Sequence, residues 1–334
     1  MIKNMSGPIL LFMCFLSHTL LSYAQNPAIN TVRGSIAPKD LGLTLTHEHV
    51  MSNFGKSIDS TAIYDEAKLF GQVIPYLKKL KALGVDAIFD CTAEYFGRRV
   101  DLLKKISKKT DIHIITNTGI YGSANDRYIP EFAYEKDAAS IAALWVDEFK
   151  NGIQETPIKP GFIKLAFDGG QPSEIDRKLF EAGLLAHLET GLTLAVHTGE
   201  NLEAAQLQLK MLEQHKVHPN AWIWTHANKF NDDALLLETA SKGSWISFDG
   251  VNSENYQEYI PRIQKFKKRG LLNKLLLSHD GNGFPKGGAI RKFDAIPNQL
   301  IPALFSNGFS EEEIQIITVL NPRKAFAISI KSVE

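Results

Sequence analysis

Thr46-His47-Glu48-His49 ends an apolar run that begins at Leu43, and its reading decides how the rest of the chain is organised. Successive strand side chains alternate between faces, so His47 and His49 share one side while Glu48 points to the other. A lone His-x-His is a weak sign of metal, because histidine readily occupies core and surface positions. Four later groups repeat its setting. Lys164 lies within the run 162–167, His197 and His226 each end an apolar run, and Asp280 follows the run 274–278. Five separated stretches thus bring metal-binding chemistry to strand ends.

Eight short apolar runs, at 43–46, 85–91, 113–118, 162–167, 192–197, 221–225, 244–248 and 274–278, read as strands. Amphipathic segments at 67–83, 99–108, 138–151, 173–190, 202–215, 232–240 and 256–269 read as the helices between them. A last helix is expected over 310–320, where Ser310 precedes three glutamates at the positive helix end. Continuous apolar strands are buried on both faces, and strict alternation with helices requires parallel crossovers. The expected fold is therefore α/β, a (β/α)8 TIM barrel forming a single domain. The competing architecture, an open doubly wound sheet, would gather ligands at one switch point and not around a ring. In a parallel barrel all strand C-termini open on one face, where active sites of this architecture lie. Four histidines, a lysine and an aspartate converge there.

The 334 residues are 44% hydrophobic and 22% charged, enough for a large core and unlike a disordered or fibrous chain. Lys plus Arg and Asp plus Glu both number 37, and no basic stripe appears, which excludes an electrostatic nucleic-acid footprint and favours a small-molecule substrate. Residues 1–24 read as a cleaved signal peptide. Lys3 precedes a largely apolar stretch, and Ser22-Tyr23-Ala24 precedes Gln25. That stretch is shorter than the ~20 residues a span needs, so no membrane span is expected after processing. Residues 25–334 form the expected mature barrel, placed in the periplasm or outside the cell. Cleavage removes Cys14 and leaves Cys91, which reads as a buried structural thiol.

Lys164 is the odd member, because burying an unpaired ammonium costs several kcal/mol. Either it pairs with Asp168 or Asp249, or a deprotonated amine captures CO2 and becomes a carbamate. The ligand set resembles the phosphotriesterase family of the amidohydrolase superfamily. That family carries His-x-His after strand 1, a carboxylated Lys after strand 4, His after strands 5 and 6, and Asp after strand 8. Further similarity lies in 95–98, 117–121, 152–164 and 320–322. The resemblance implies two divalent metal ions, foremost Zn2+. His47, His49 and Asp280 would hold the more buried ion, His197 and His226 the more exposed one, and carboxylated Lys164 would bridge both. A shared hydroxide would attack, with Asp280 accepting its proton and the exposed ion polarising the substrate oxygen. The family often forms homodimers, so self-association is a further expectation.

The sequence also departs from this pattern. In phosphotriesterases proper, a relay runs from the metal-bound Asp through a His after strand 7 to an Asp after strand 6. Gly250 and Lys229 stand there instead. Residues 119–121 and 152–154 look more like the lactonase branch, but that branch's strand 7 Arg is absent as well. The reading is an ester or lactone hydrolase, with phosphotriester cleavage, amide cleavage and a catalytically silent metal-binding barrel as alternatives. Tyr121 is taken as a substrate contact, and Asn117 and the loop 281–285 also lie where substrate loops belong. His279 is expected to face the helix layer, Trp222 and Trp224 to be packing, and His113, His187, His215 and His218 to be structural or solvated.

Overall fold

The computed structural model describes residues 27–58, 62–285 and 289–333; the expected signal segment lies outside them. The described residues open with an antiparallel hairpin that the apolar pattern does not announce, β1 (Ile29–Thr31) and β2 (Gly34–Ile36). Alternation then sets in as β3 (Leu43–His49), α1 (Glu66–Ala82), β4 (Val85–Asp90), α2 (Val100–Thr110), β5 (His113–Ile115) and β6 (Asn117–Thr118). It continues through α3 (Phe132–Glu135), α4 (Ala138–Asn151), β7 (Phe162–Ala166), α5 (Glu174–Thr190), β8 (Leu194–His197), α6 (Leu202–Gln214) and β9 (Trp222–Thr225). The last units are α7 (Asp233–Ser241), β10 (Trp245–Asp249), α8 (Tyr256–Lys268), β11 (Leu275–Ser278) and β12 (Gly281–Asn282), then the short helices α9 (Ile301–Ser306), α10 (Glu311–Gln315) and α11 (Asn321–Phe326).

Every neighbouring pair from β3 onward is parallel, in two arcs ordered β12-β3-β4-β5 and β6-β7-β8-β9-β10-β11. The arcs meet at two interrupted strands. Thr116 separates β5 from β6, and His279-Asp280 separates β11 from β12. Across the seam between the first and last barrel strands, the His47 N–H donates to the Ser278 hydroxyl (2.9 Å) and the Asp280 N–H to the His47 carbonyl (3.1 Å). All eight predicted runs are barrel strands, and the architecture is the expected (β/α)8 barrel.

Period-2 alternation sorts the strand residues into an inside and an outside. Ala87, Phe89 and Cys91 point inward, where they share a fully buried cluster with Phe162, Ile223, Leu276 and Phe326. The Phe326 ring from α11 stacks on Phe89 (centroids 3.8 Å apart), closing the barrel floor and burying an aromatic group worth roughly 2 kcal/mol. Trp222 and Trp224 point outward beneath the helices, and the Trp224 indole donates to the Gly199 carbonyl (2.9 Å), so both are packing residues. Helix starts obey their caps: Ser173 and Ser310 each open a helix with a reciprocal capping box, to Asp176 and Glu313.

Candidate metal centre

At the C-terminal end of β3, His47 and His49 face the barrel mouth and Glu48 the opposite side. Glu48 is fully buried and is not idle. Its carboxylate accepts from the Ser278 hydroxyl (2.7 Å), from Nδ1 of His279 (2.6 Å) and from the Gly281 N–H (2.7 Å). His279 lies outside the barrel as expected, with Nε2 accepting from the Ile296 N–H (3.0 Å). The alternation that aims two histidines at the mouth therefore also gives the intervening residue the task of fastening the segment that carries Asp280.

Asp280 Oδ1 stands 3.2 Å from His49 Nε2 and 3.6 Å from His47 Nε2. These three residues form a group able to hold an ion. The hydrogen bonding around His49 fixes what it presents. The Thr92 hydroxyl gives its only proton to the Met51 carbonyl (2.8 Å), so it accepts from Nδ1–H of His49 (2.9 Å). The neutral ring then aims its Nε2 lone pair at a carboxylate oxygen. Two electron pairs facing each other call for a positive charge between them, the usual arrangement of a ligand histidine whose other nitrogen is held by a neighbour. Burial raises the Asp280 carboxyl, but the close His49 and His47 rings outweigh it and hold the group well below the ordinary carboxylate range.

The other half of the ring brings in Lys164 from β7, His197 from β8 and His226 after β9. The His197 and His226 rings lie 4.4 Å apart, and His226 lies 4.8 Å from His47. Burial, followed by the charges of Lys164 and Lys229, lowers His197 to about 3, and burial holds His226 and His47 well below the ordinary histidine value. All three are neutral imidazoles at physiological pH, the form in which histidine binds metal.

Lys164 is fully buried, and its Nζ has no hydrogen-bond partner and no ion pair among the described residues. The pairing with Asp168 or Asp249, the alternative to a carbamate, does not occur, because both carboxylates are committed elsewhere. Asp168 accepts from the Ser123 hydroxyl (3.1 Å) and the Asn125 N–H (3.2 Å). Asp249 accepts from the Ser247 hydroxyl (2.6 Å) and the His226 N–H (2.7 Å), and lies 3.3 Å from His47 Nδ1. Asp249 thus fixes the backbone that presents His226 and forms a second ion-holding group with His47 and His226. The sequence reading had considered it only as a partner for Lys164.

Two candidate ligands, His226 (φ 60°) and Asp280 (φ 51°), occupy the left-handed backbone region. For residues with a side chain this costs of order 1–3 kcal/mol, a strain found mainly at functional sites. Gly119 (φ 110°) has a different reason for its conformation: a Cβ there would collide with the Lys164 carbonyl oxygen. The close approach lets the chain after β6 carry Tyr121 over the centre, where its hydroxyl lies 3.2 Å from His197 Nδ1. Asn117 is not a substrate contact; it is buried, with Nδ2 donating to the Asp90 and Thr92 carbonyls. Gly281 and Asn282, expected in a substrate loop, form β12 instead, although Asn282 still lines the mouth. At the relay positions, Gly250 leaves room for Asn228 and Tyr259, which hydrogen-bond to each other (3.3 Å).

The mouth is a cavity of about 190 Å³ containing four candidate imidazoles, Asp280 and Tyr121. The Phosphotriesterase family profile matches residues 27–326. The chain belongs to the phosphotriesterase family. It is 29% identical to the "Phosphotriesterase homology protein" of Mycobacterium tuberculosis, over 90% of this chain and 98% of that one. It is 28% identical to the "Aryldialkylphosphatase" of Saccharolobus solfataricus, over 88% and 98%. A solved structure described as "Molecular Engineering of Organophosphate Hydrolysis Activity from a Weak Promiscuous Lactonase Template" superposes with a TM-score of 0.81 at 25% identity, over 90% of this chain and 99% of that one. The phosphotriesterase family is one of binuclear metal-dependent hydrolases, and the partnerless lysine and the opposed lone pairs of His49 and Asp280 fit such a centre.

Proposed function

We propose that this phosphotriesterase-family protein is an exported binuclear metal-dependent hydrolase acting on a carboxylic ester or lactone. The observation that carries the reading is Lys164, a fully buried amine without an acceptor beside three neutral imidazoles. Condensation of Nζ with CO2 forms an N–C bond, releases a proton and replaces the partnerless amine by an anionic carbamate. That group, with His47, His49, His197, His226 and Asp280, would hold two divalent ions, for which Zn2+ suits the imidazole and carboxylate donors. When bound, such ions supply Lewis acidity toward the substrate oxygen and acidify water.

The chain's own groups then have defined tasks. Asp280, ionised at neutral pH, accepts the proton of the attacking water and passes it to the leaving oxygen as the acyl C–O bond breaks. Tyr121 covers the opening and bounds the space open to the acyl group. Thr92 and Asp249 are positioning residues, holding the His49 ring and the His226 backbone. The lactonase template among the structural relatives supports an ester or lactone substrate, and the absence of both relay residues counts against phosphotriester cleavage.

The test is turnover of the metal-loaded, processed chain on acyl lactones and on aryl dialkyl phosphates. Lactones are expected to be preferred, and Asp280→Asn to slow turnover by on the order of a hundredfold. Full metal loading without lactone turnover sinks the reading. A preference for phosphate triesters would move the assignment toward the aryldialkylphosphatase relative, which is the second reading.

A further inference from the structure

The mouth of the centre is built from two unlike walls. Loops after the first three barrel strands supply Phe54, Phe96 and Tyr121, whose rings lie 5.0 to 6.1 Å apart. Phe54 remains 48% exposed although it is a large apolar side chain, so this wall has apolar surface left to cover. The loops after β9 and β12 supply Lys229 and Arg291, which line the same cavity. In the ring, the loop carrying Lys229 stands opposite the loop that carries Phe96, while β12, which leads to Arg291, pairs with β3, whose loop carries Phe54.

Lys229 is unused by the protein, and Arg291 is used only in part. Lys229 has no ion pair or side-chain hydrogen bond among the described residues, although an adjoining cleft contains Asp168, Glu200 and Glu203. Arg291 is anchored through its backbone to Asn282, N–H to carbonyl in both directions (2.7 and 3.1 Å). Its Nε donates to the Asp280 carbonyl (2.9 Å) and Nη2 lies 3.4 Å from Asp280 Oδ1, while Nη1 has no partner among the described residues. Among the described residues Asp280 is the sole carboxylate lining this cavity, and the histidines already surround it.

We infer that the substrate is an organic anion: an acyl compound whose carboxylate or similar oxyanion lies against Lys229 and Arg291 and whose apolar part lies against Phe54, Phe96 and Tyr121. A lysine without an anionic partner among the described residues and an arginine with its Nη1 unused favour a negatively charged group through charge-assisted hydrogen bonds. The apolar rings that line the same cavity take the rest of the molecule, so that its scissile bond crosses the centre between the two. The inference rests on the hydrolase reading above and names the substrate class for that site.

The test is a matched pair of aryl acetates, 4-acetoxyphenylacetate and its carboxamide, 4-acetoxyphenylacetamide, with the metal-loaded full chain. The anion is expected to show a kcat/KM larger by about tenfold, the size of a hydrogen bond to a charged group. Lys229→Gln should bring that ratio close to one through KM, with metal content retained, and Lys229→Arg should restore it. Equal turnover of the pair, or a ratio indifferent to Lys229→Gln, overturns the inference. If neither ester is cleaved, the lactone panel alone decides the hydrolase reading, and calorimetric binding of 4-hydroxyphenylacetate against 4-hydroxyphenylacetamide decides the anion site by itself. Tighter anion binding that Lys229→Gln abolishes supports the site, and equal binding refutes it.

Discussion

Two lysines leave water at opposite ends of this barrel, and only one is given acceptors. At the floor, half-buried Lys331 donates from Nζ to the Thr193 hydroxyl (2.6 Å) and the Ala325 carbonyl (3.1 Å), and its backbone N–H donates to Nε2 of His187 (3.0 Å). At the mouth, fully buried Lys164 has neither. The fold can satisfy an amine within its interior, and at the floor it does. A buried amine without a partner carries a desolvation penalty of several kcal/mol, so its retention at the mouth marks a chemical use and not a packing need.

Breaking the mouth should have the largest effect. Lys164→Ala should remove ions from the metal-loaded chain, read by elemental analysis, and lower turnover on the order of a thousandfold, since the centre contributes several kcal/mol of charge stabilisation. Lys331→Met should leave metal content as it is. Unchanged metal content in Lys164→Ala would erase the contrast between the two ends.

The floor should respond to pH instead. The Leu192 carbonyl accepts from Nδ1 of buried His187 (2.8 Å), so that nitrogen carries the proton and Nε2 must be free to accept from Lys331. Burial, outweighing these backbone contacts, lowers His187 to about 4 from 6.5. Above pH 6.5 both folded and unfolded forms are neutral there. Between pH 6.5 and 4 only the unfolded chain takes up the proton, so stability falls with falling pH, by about 3 kcal/mol in total at this group, and levels off below. Urea unfolding of wild type and His187→Gln across that window should differ in slope. Parallel pH profiles would mean that His187 titrates alike in both states.

The smallest effect is expected from Lys331→Met, which keeps the alkyl stem and removes two hydrogen bonds. A loss of about 1 kcal/mol is expected, because Thr193 already donates to the Ala325 carbonyl (2.6 Å) and keeps that acceptor satisfied. A loss several times larger, read from chemical unfolding, would show that the floor depends on this amine and not merely accommodates it.

The barrel was legible because each strand is apolar on both faces and each helix on one, a pattern carried by local residue order. Period 2 likewise placed His47 with His49 and put the remaining candidate ligands at strand ends. The same local rule turned Glu48 away from the centre, as observed, but gave no sign that it fastens the segment carrying Asp280, and it said nothing of Thr92, whose hydroxyl fixes the His49 tautomer. Asp249 was legible only as one possible counterion for Lys164, the alternative to a carbamate, yet it holds the His226 backbone.

The sequence by itself determined the eight-strand alternation, the face on which the candidate ligands gather and the burial of Lys164. Only the tertiary structure decided that Asp168 and Asp249 are spoken for, that His226 and Asp280 sit in left-handed backbone, and that Lys229 and Arg291 share a cavity with three aromatic rings. The division has a physical cause. Burial and periodicity depend on neighbours along the chain, whereas hydrogen-bond partners and cavity walls come from residues far apart in sequence that meet only when the ring closes.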